Sequence, residues 1–473
     1  MEAERISGRI QGNQKMINVV LFVAAATSCL ASASPQHYVL AADAGVWDVA
    51  VEDVDGDGKA DITALCCDGE SEPLDKFVAV YLADSKGRYS PEPTFTHALN
   101  ASTGTLFFAE TDAEPPRELV AADAEGAMVF EFEDGRFEAA AVSLFRSLLP
   151  SGSQEPLFLD KTAQDLDRDG IDEWLIPIAS GYSIRNAAGE ICRVSCHVVS
   201  EIRPGTSMYI THRLPAYHLF EHDPTAPKGI AFLSDEFADF AYGPDWSEHK
   251  RLEIPLNLEE KWEAGSRMAD VNKDGLPDLV VTQTKGTVHI SALTQVYVAQ
   301  APFTYPNRPT AMFEAEGAIT TPTLEDVDGD EDLDILFVSI PFGIKNLINF
   351  FLRETLSVNV EVYYFSGGGF PDKPDIDPAM TLDAPEGRQR VAYTLGDFNG
   401  DGRLDVAFGK EEDELAVLLG SPDRFVSRDP WVEFELPTFG EARARDLDGN
   451  KAQDIVIWHP TGDYRKRMDV IVF

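Results

Sequence analysis

Short apolar runs recur along this chain, each entered from an acidic loop. Clear examples are ITALCC (Ile62 to Cys67), WLIPIA (Trp174 to Ala179), LVVTQT (Leu279 to Thr284) and VAFGK (Val406 to Lys410). They are partly β-branched, too short for a helix and bounded by Asp and Gly, which predicts strands. The loop-then-run unit occurs eight times, starting near 53, 110, 165, 221, 270, 326, 397 and 446, at intervals of 57, 55, 56, 49, 56, 71 and 49. A period of that size with several strands per repeat predicts propeller blades. The first unit divides into Val46 to Val51, Asp61 to Cys67, Lys76 to Leu82 and Pro93 to Ala98, with Ser85-Lys86-Gly87 as a turn.

The last unit has Asp454 to Trp458 and Met468 to Phe473 but is one strand short, and His37 to Leu40 is expected to complete it. Such closure removes exposed sheet edges. The expectation is therefore all-β: a closed β-propeller of four-stranded blades, eight by count. The unit near 221 is the weakest, so seven blades with an irregular insertion is the alternative. Gly343 to Leu356 breaks the rhythm. Ile344, Leu347, Ile348, Phe351 and Leu352 fall at helical spacing, predicting a short inserted helix packed on a blade or on a partner.

The loops carry the candidate chemistry. Four read DVDGDGKAD, DLDRDGIDE, DVNKDGLPD and DFNGDGRLD. Oxygen-bearing side chains stand at positions 1, 3, 5 and 9: Asp53, Asp55, Asp57 and Asp61; Asp165, Asp167, Asp169 and Glu173; Asp270, Asn272, Asp274 and Asp278; Asp397, Asn399, Asp401 and Asp405. Such a set suits a hard cation with many oxygen ligands, calcium. Glycine at position 6 allows a sharp turn at positive φ. An EF-hand is excluded, because position 12 is Ala64, Ile176, Val281 or Phe408 rather than a bidentate Glu.

Two copies are altered. Asp326, Asp328, Asp330 and Asp334 keep every carboxylate but carry Glu331 at position 6; the loop from Asp446 to Asp454 has Asn450 at position 5 and Lys451 at position 6. Weaker metal binding is expected at both. Glu110 to Glu118 and Glu221 to Gly229 keep only the outline, with prolines near the turn, and no metal is expected there.

The strand-DxDxDGxxD-strand unit resembles the FG-GAP and VCBS repeats, the family that includes the integrin α-subunit head. The resemblance spans nearly the whole mature chain. It implies a β-propeller with calcium loops between the first and second strands of each blade. Many relatives have seven blades, one fewer than the count here.

Composition narrows the partners. With 39 Lys plus Arg against 81 Asp plus Glu, the net charge is −42 over 473 residues. Calcium in four to six loops would return only +8 to +12, at two charges per ion. Such a surface repels nucleic acid and anionic membranes. At the N-terminus, Val19 to Leu30 is apolar but short for a bilayer, and Ala31-Ser32-Ala33 offers a cleavage site. Residues 1–33 are thus expected to be a signal peptide and 34–473 a single propeller domain. Arg5, Arg9 and Lys15 would supply the basic region; a start at Met16 would lack it. A lipid anchor at Cys29 is the less favoured alternative, because Ala26 stands where leucine is preferred. No later segment is long and apolar enough for a transmembrane helix. The chain is expected to be exported: extracellular, periplasmic or at the cell surface.

Four cysteines lie in the mature chain. Strand alternation buries at most one of Cys66 and Cys67. Cys192 and Cys196 admit a disulfide, free thiols or a metal site with His197. No GxSxG, HExxH, Walker loop or dinucleotide fingerprint is present, and Gly367-Gly368-Gly369 reads as a turn. His218 and His222 read as structural or surface residues. Most aromatics between 205 and 262 are expected in blade core, while Tyr242 and Trp246, near Gly243 and Pro244, are candidates for contact with a sugar or protein. These features describe a secreted, calcium-binding module that binds a protein or glycan or acts as a scaffold. The competing class is a polysaccharide lyase or hydrolase with its site on one propeller face. A cluster of His, Tyr, Arg or Lys at the channel mouth would favour the enzyme.

Overall fold

Each acidic loop joins two antiparallel strands, and the eight units fold as eight four-stranded blades. The computed structural model describes residues 34–473, apart from 69–74, 153–154, 204–208, 222, 224, 235, 255–262, 286–290, 317, 320–321, 341–354, 377–378 and 384–391. Blade 1 runs Gly45–Glu52, Asp61–Asp68, Asp75–Tyr81 and Phe95–Leu99, in sheet order. The weak unit near 221 is a complete blade 4, from Ala216–Phe220 through Gly229–Leu233 and Phe237–Tyr242 to Glu248–Glu253. This decides for eight blades over seven.

Blade 8 joins the two ends of the propeller. Glu441–Arg445, Asp454–Trp458 and Arg467–Val472 come from the last unit, and Gln36–Ala41 pairs beside Arg467–Val472. His37 Nε2 lies 2.8 Å from Asp469 Oδ1 across that pair.

Neighbouring blades pack face to face through apolar side chains. Between blades 8 and 1, Leu40, Val456, Met468 and Val470 meet Val49, Ile62 and Tyr81; between blades 1 and 2, Leu65, Val78 and Val80 meet Leu106, Leu119 and Phe130. Middle strands are therefore covered on both faces. For this reason Cys66 and Cys67 are both buried, at 0% and 3% exposed, where a half-buried strand would have hidden only one.

Two elements lie outside the blade pattern. Val199–Arg203 and Tyr209–Arg213 form a separate hairpin between blades 3 and 4. Leu157–Phe158 pairs parallel with Thr105–Ala109, the first strand of blade 2, on the edge away from the rest of the blade. The first strands of other blades hold this segment. Asp48 accepts the Phe158 N–H (2.8 Å), Tyr217 donates to the Lys161 carbonyl (2.5 Å), and Arg443 and Arg445 reach Asp160 at 3.3 and 3.2 Å. The Gly367–Gly369 segment is a turn, as expected, with Gly367 and Gly368 at φ 60° and 85°. The helix expected over Gly343 to Leu356 lies outside the described residues except for its end: Thr355 and Leu356 begin the strand Thr355–Tyr363 instead.

Candidate metal centres

Every loop connects the first and second strands of its blade. The first-position carboxylate caps the turn that follows. Asp53 accepts from the amides of Gly56, Asp57 and Gly58 at 2.9, 3.1 and 2.9 Å. Asp270 takes those of Asp274 and Gly275 at 3.0 and 2.8 Å, and Asp397 those of Asp401 and Gly402 at 3.0 and 2.8 Å. The side chains at positions 3 and 5 each accept from the amide two residues on, as Asp55, Asp57, Asn399 and Asp401 do. Short Asp and Asn side chains are suited to such local bonds.

The turn needs two left-handed residues. Position 6 is one: Gly58, Gly170, Gly275 and Gly402 lie at φ 83°, 90°, 84° and 86°. Glu331 and Lys451 are forced into the same conformation at 77° and 78°. Position 4 is the other, occupied by Gly56, Gly329, Gly400 and Gly449 but also by Arg168, Lys273 and Ala113.

Position 9 opens the second strand and is buried in all seven loops that carry an acid there. Asp61, Glu118, Glu173, Asp278, Asp334, Asp405 and Asp454 each accept the amide of position 2, at 2.7 to 2.9 Å. In four of them the other oxygen accepts an amide just past the third strand: Ala83, Ala299, Phe365 and Gly420. Burial pushes these carboxyls up, to about 6 for Asp61 and Asp405 and about 7 for Glu118, Glu173, Asp278 and Asp334, with the amide bonds opposing it. A divalent cation in the loop would act the other way and favour the charged form.

Several loops gather three carboxylates with oxygens within 4.8 Å of one another: Asp53, Asp55 and Asp57; Asp165, Asp167 and Glu173; Asp326, Asp328 and Asp334; Asp446, Asp448 and Asp454. Such groups can hold a metal ion. Glu110, Asp112 and Glu118 form a fifth group, although this loop has lost its central glycine and no metal was expected there. The loops at 270 and 397 carry an amide at position 3, and Asn272 and Asn399 each donate to the position-5 carboxylate, at 3.1 and 3.0 Å.

Neighbouring loops are also tied together. The N–H of position 8 donates to a carbonyl at position 1 or 2 of the preceding loop: Asp172 to Glu110, Lys228 to Leu166, Leu333 to Val271, Leu404 to Val327 and Gln453 to Asp397, at 2.7 to 3.2 Å. Position 8 of the fifth loop is Pro277, which has no N–H, and there Glu221 donates instead to the Gly275 carbonyl at 3.1 Å. Between loops 6 and 7 the contact is so close that a Cβ on Gly329 would lie 2.5 Å from the Gly402 oxygen. The second to eighth acidic loops are thus linked in series from blade to blade.

An FG-GAP-like repeat matches residues 270–337, which hold the fifth loop, the sixth loop and the strands around them. The match falls on the units whose blade geometry repeats eight times. The chain is an eight-bladed propeller that carries an FG-GAP-like repeat over those residues. No curated protein matches this propeller. Among solved structures it is similar to the V. cholerae biofilm matrix protein Bap1 (10% identity, TM-score 0.33, 91% of this chain and 87% of that one). It is also similar to BBS1N in its complex with ARL6DN (10%, 0.36, 79% and 93%) and to the Photorhabdus luminescens Tc holotoxin pore (13%, 0.31, 87% and 17%). At these scores the likenesses carry no functional argument.

The remaining candidates of this propeller take structural places. Cys66, Cys67, Cys192 and Cys196 are free thiols. His218 lies in the first strand of blade 4, where burial lowers its pKa; His222 lies outside the described residues. Trp246 is not a surface platform. It is 3% exposed, and its Nε1 donates to the Lys228 carbonyl at 2.9 Å. Tyr242 packs on Phe303 with ring centres 4.6 Å apart. Among the described residues, no helix is long and apolar enough to cross a membrane.

Proposed function

We propose that this propeller is exported and that calcium in its acidic loops stabilises it as a binding or scaffold module outside the cell. The observation that carries this reading is the set of convergent carboxylates in loops placed between the first and second strands of successive blades. The ligands proposed are those of the loops at 53, 165, 270 and 397, with weaker sites at 326 and 446. Millimolar extracellular calcium suits exposed loops of this kind. Export rests on the apolar run Val19 to Leu30 followed by Ala31-Ser32-Ala33.

The ligand class proposed is a protein or a glycan. Arg443, Arg445 and Tyr217, on the first strands of their blades, are engaged with the chain itself, holding the segment Leu157 to Lys161. This favours binding or scaffolding over the polysaccharide lyase or hydrolase. Calorimetric titration of the calcium-stripped protein tests the metal reading, with at least four ions bound expected at millimolar calcium. Absence of calcium binding there would overturn it. A glycan array run beside turnover assays on acidic polysaccharides separates binder from enzyme, and turnover lost on substituting residues of one propeller face would decide for the enzyme.

A further inference from the structure

The seam between blades 2 and 3 opens into a cavity of about 810 Å³. Val142, Leu144 and Phe145 line one side and Ile176 and Ile178 the other. Arg185, on the strand Gly181–Asn186, also lines it although only 4% exposed. Its guanidinium lies 4.1 Å from the centre of the Phe145 ring and donates one hydrogen bond, from Nη2 to Ser143 Oγ at 2.9 Å. The Nε is buried without a partner. A guanidinium offers five N–H donors and keeps its charge at any physiological pH. Among the described residues no carboxylate lies within ion-pair distance of it. Glu190, the acid beside it, already accepts from Ser183 Oγ and Arg193 Nε, both at 2.9 Å. A buried charge in that condition is strongly unfavourable unless something pairs with it. Arg146, Arg193 and Glu190 also line the cavity, Arg193 and Glu190 as an ion pair at 2.9 Å, so the charged lining is net positive on a chain of net charge −42.

We propose that this cavity binds a small carboxylate with an apolar body, the carboxylate being taken by Arg185. The planar fork of a guanidinium matches a carboxylate through two parallel hydrogen bonds, and Phe145 beneath it fixes the plane. The aliphatic walls cover the apolar body, and the volume falls in the range of small-molecule sites. The cavity uses none of the acidic-loop residues, so the site stands whether or not the loops hold calcium.

Calorimetric titration of the full chain with benzoate, its neutral analogue benzamide, and sulfate tests the assignment. Saturable benzoate binding is expected, with benzamide at least tenfold weaker. Arg185→Met should abolish it. Because that substitution touches a buried position, Ala188→Trp serves as the second variant. Ala188 is exposed at the cavity edge, so an indole there should block entry and abolish binding without changing the melting temperature. No saturation by benzoate, equal binding of benzamide, or benzoate binding retained in both variants would overturn the site. Preference for sulfate over benzoate would overturn the carboxylate assignment.

Discussion

At position 9 of each loop one carboxylate has two tasks, and a pair of substitutions separates them. Asp278 is fully buried and accepts the amides of Val271 and Ala299 at 2.9 and 2.7 Å, whereas Asp274 is exposed. Asp278→Ala leaves two buried N–H groups unpaired, at about 1–3 kcal/mol each. Urea denaturation in chelator should therefore show a large loss for Asp278→Ala and a change within about 0.5 kcal/mol for Asp274→Ala. With calcium present, both variants should fall below the parent. Equal stabilities in chelator would remove the structural task assigned to Asp278. Position 6 gives a gain in the other direction. Glu331 is held at φ 77°, a conformation about 1–2 kcal/mol unfavourable for a residue with a Cβ. Glu331→Gly should raise the melting temperature and tighten calcium at that loop; a lowered melting temperature would show that the side chain contributes more than the strain removes. The glycine at position 6 made this half of the turn legible in the sequence. The second left-handed residue, at position 4, was masked by Arg168, Lys273 and Ala113, although Gly56, Gly329, Gly400 and Gly449 stood there as a signal.

Among elements, the strand joining the two ends of the propeller is the most informative. Asp469 is fully buried in Arg467–Val472 and takes His37 Nε2 at 2.8 Å and Arg467 Nη2 at 2.7 Å. Burial alone would raise this carboxyl. The bonds from His37 and Arg467 outweigh it and hold the pKa below the usual carboxylate value. A depressed acid stabilises the fold fully above its unfolded pKa, near 4, and loses that contribution as pH falls through the lower folded value. Asp469→Asn should destabilise by about 2 kcal/mol, toward the low end for a buried pair because His37 and Arg467 are 24% and 31% exposed. It should also flatten the fall in stability below about pH 4, seen as urea midpoints measured from pH 2 to 7. An unchanged slope would mean that Asp469 does not report the closure. The strand itself was legible: His37 to Leu40 was expected, and Gln36–Ala41 is found. Apolar runs entered from acidic loops likewise located Asp61–Asp68 and Asp454–Trp458 to within a residue. Burial was less legible, since whether a strand is covered on one face or two depends on its neighbours. Cys66 and Trp246 are hidden by packing against residues distant in sequence, and the Trp246 Nε1 donates to a carbonyl in the loop that begins at 221. The hairpin Val199–Arg203 and Tyr209–Arg213 gave no periodic signal against the blades around it.

At the scale of the propeller, the second to eighth acidic loops form a linked series on a chain of net charge −42, so those sites are not independent. Three carboxylates converge in several loops, and backbone hydrogen bonds carry any loosening of one loop to the next blade. A cation bound only by the folded state stabilises it by about 2.7 kcal/mol per site at 100 times its dissociation constant. Four sites of that strength would rival the whole stability of an ordinary domain, about 5–15 kcal/mol. A chelator should therefore lower the melting temperature markedly and calcium should restore it. Replacing Asp53, Asp165, Asp270 or Asp397 by Ala should remove more of the calcium-dependent gain than Asp446→Ala, because Lys451 already places a positive charge in that last loop. Sodium chloride separates site binding from general screening. Its screening length falls from about 10 Å at 0.1 M to about 3 Å at 1 M, so it relieves repulsion between loops without filling any of them. In chelator, salt should recover only part of the lost stability, and first-position variants should respond to it as the parent does. Full recovery by salt, or a melting temperature that chelator leaves unchanged in protein shown to be free of calcium, would mean that the loops hold the blades together through their backbone bonds alone.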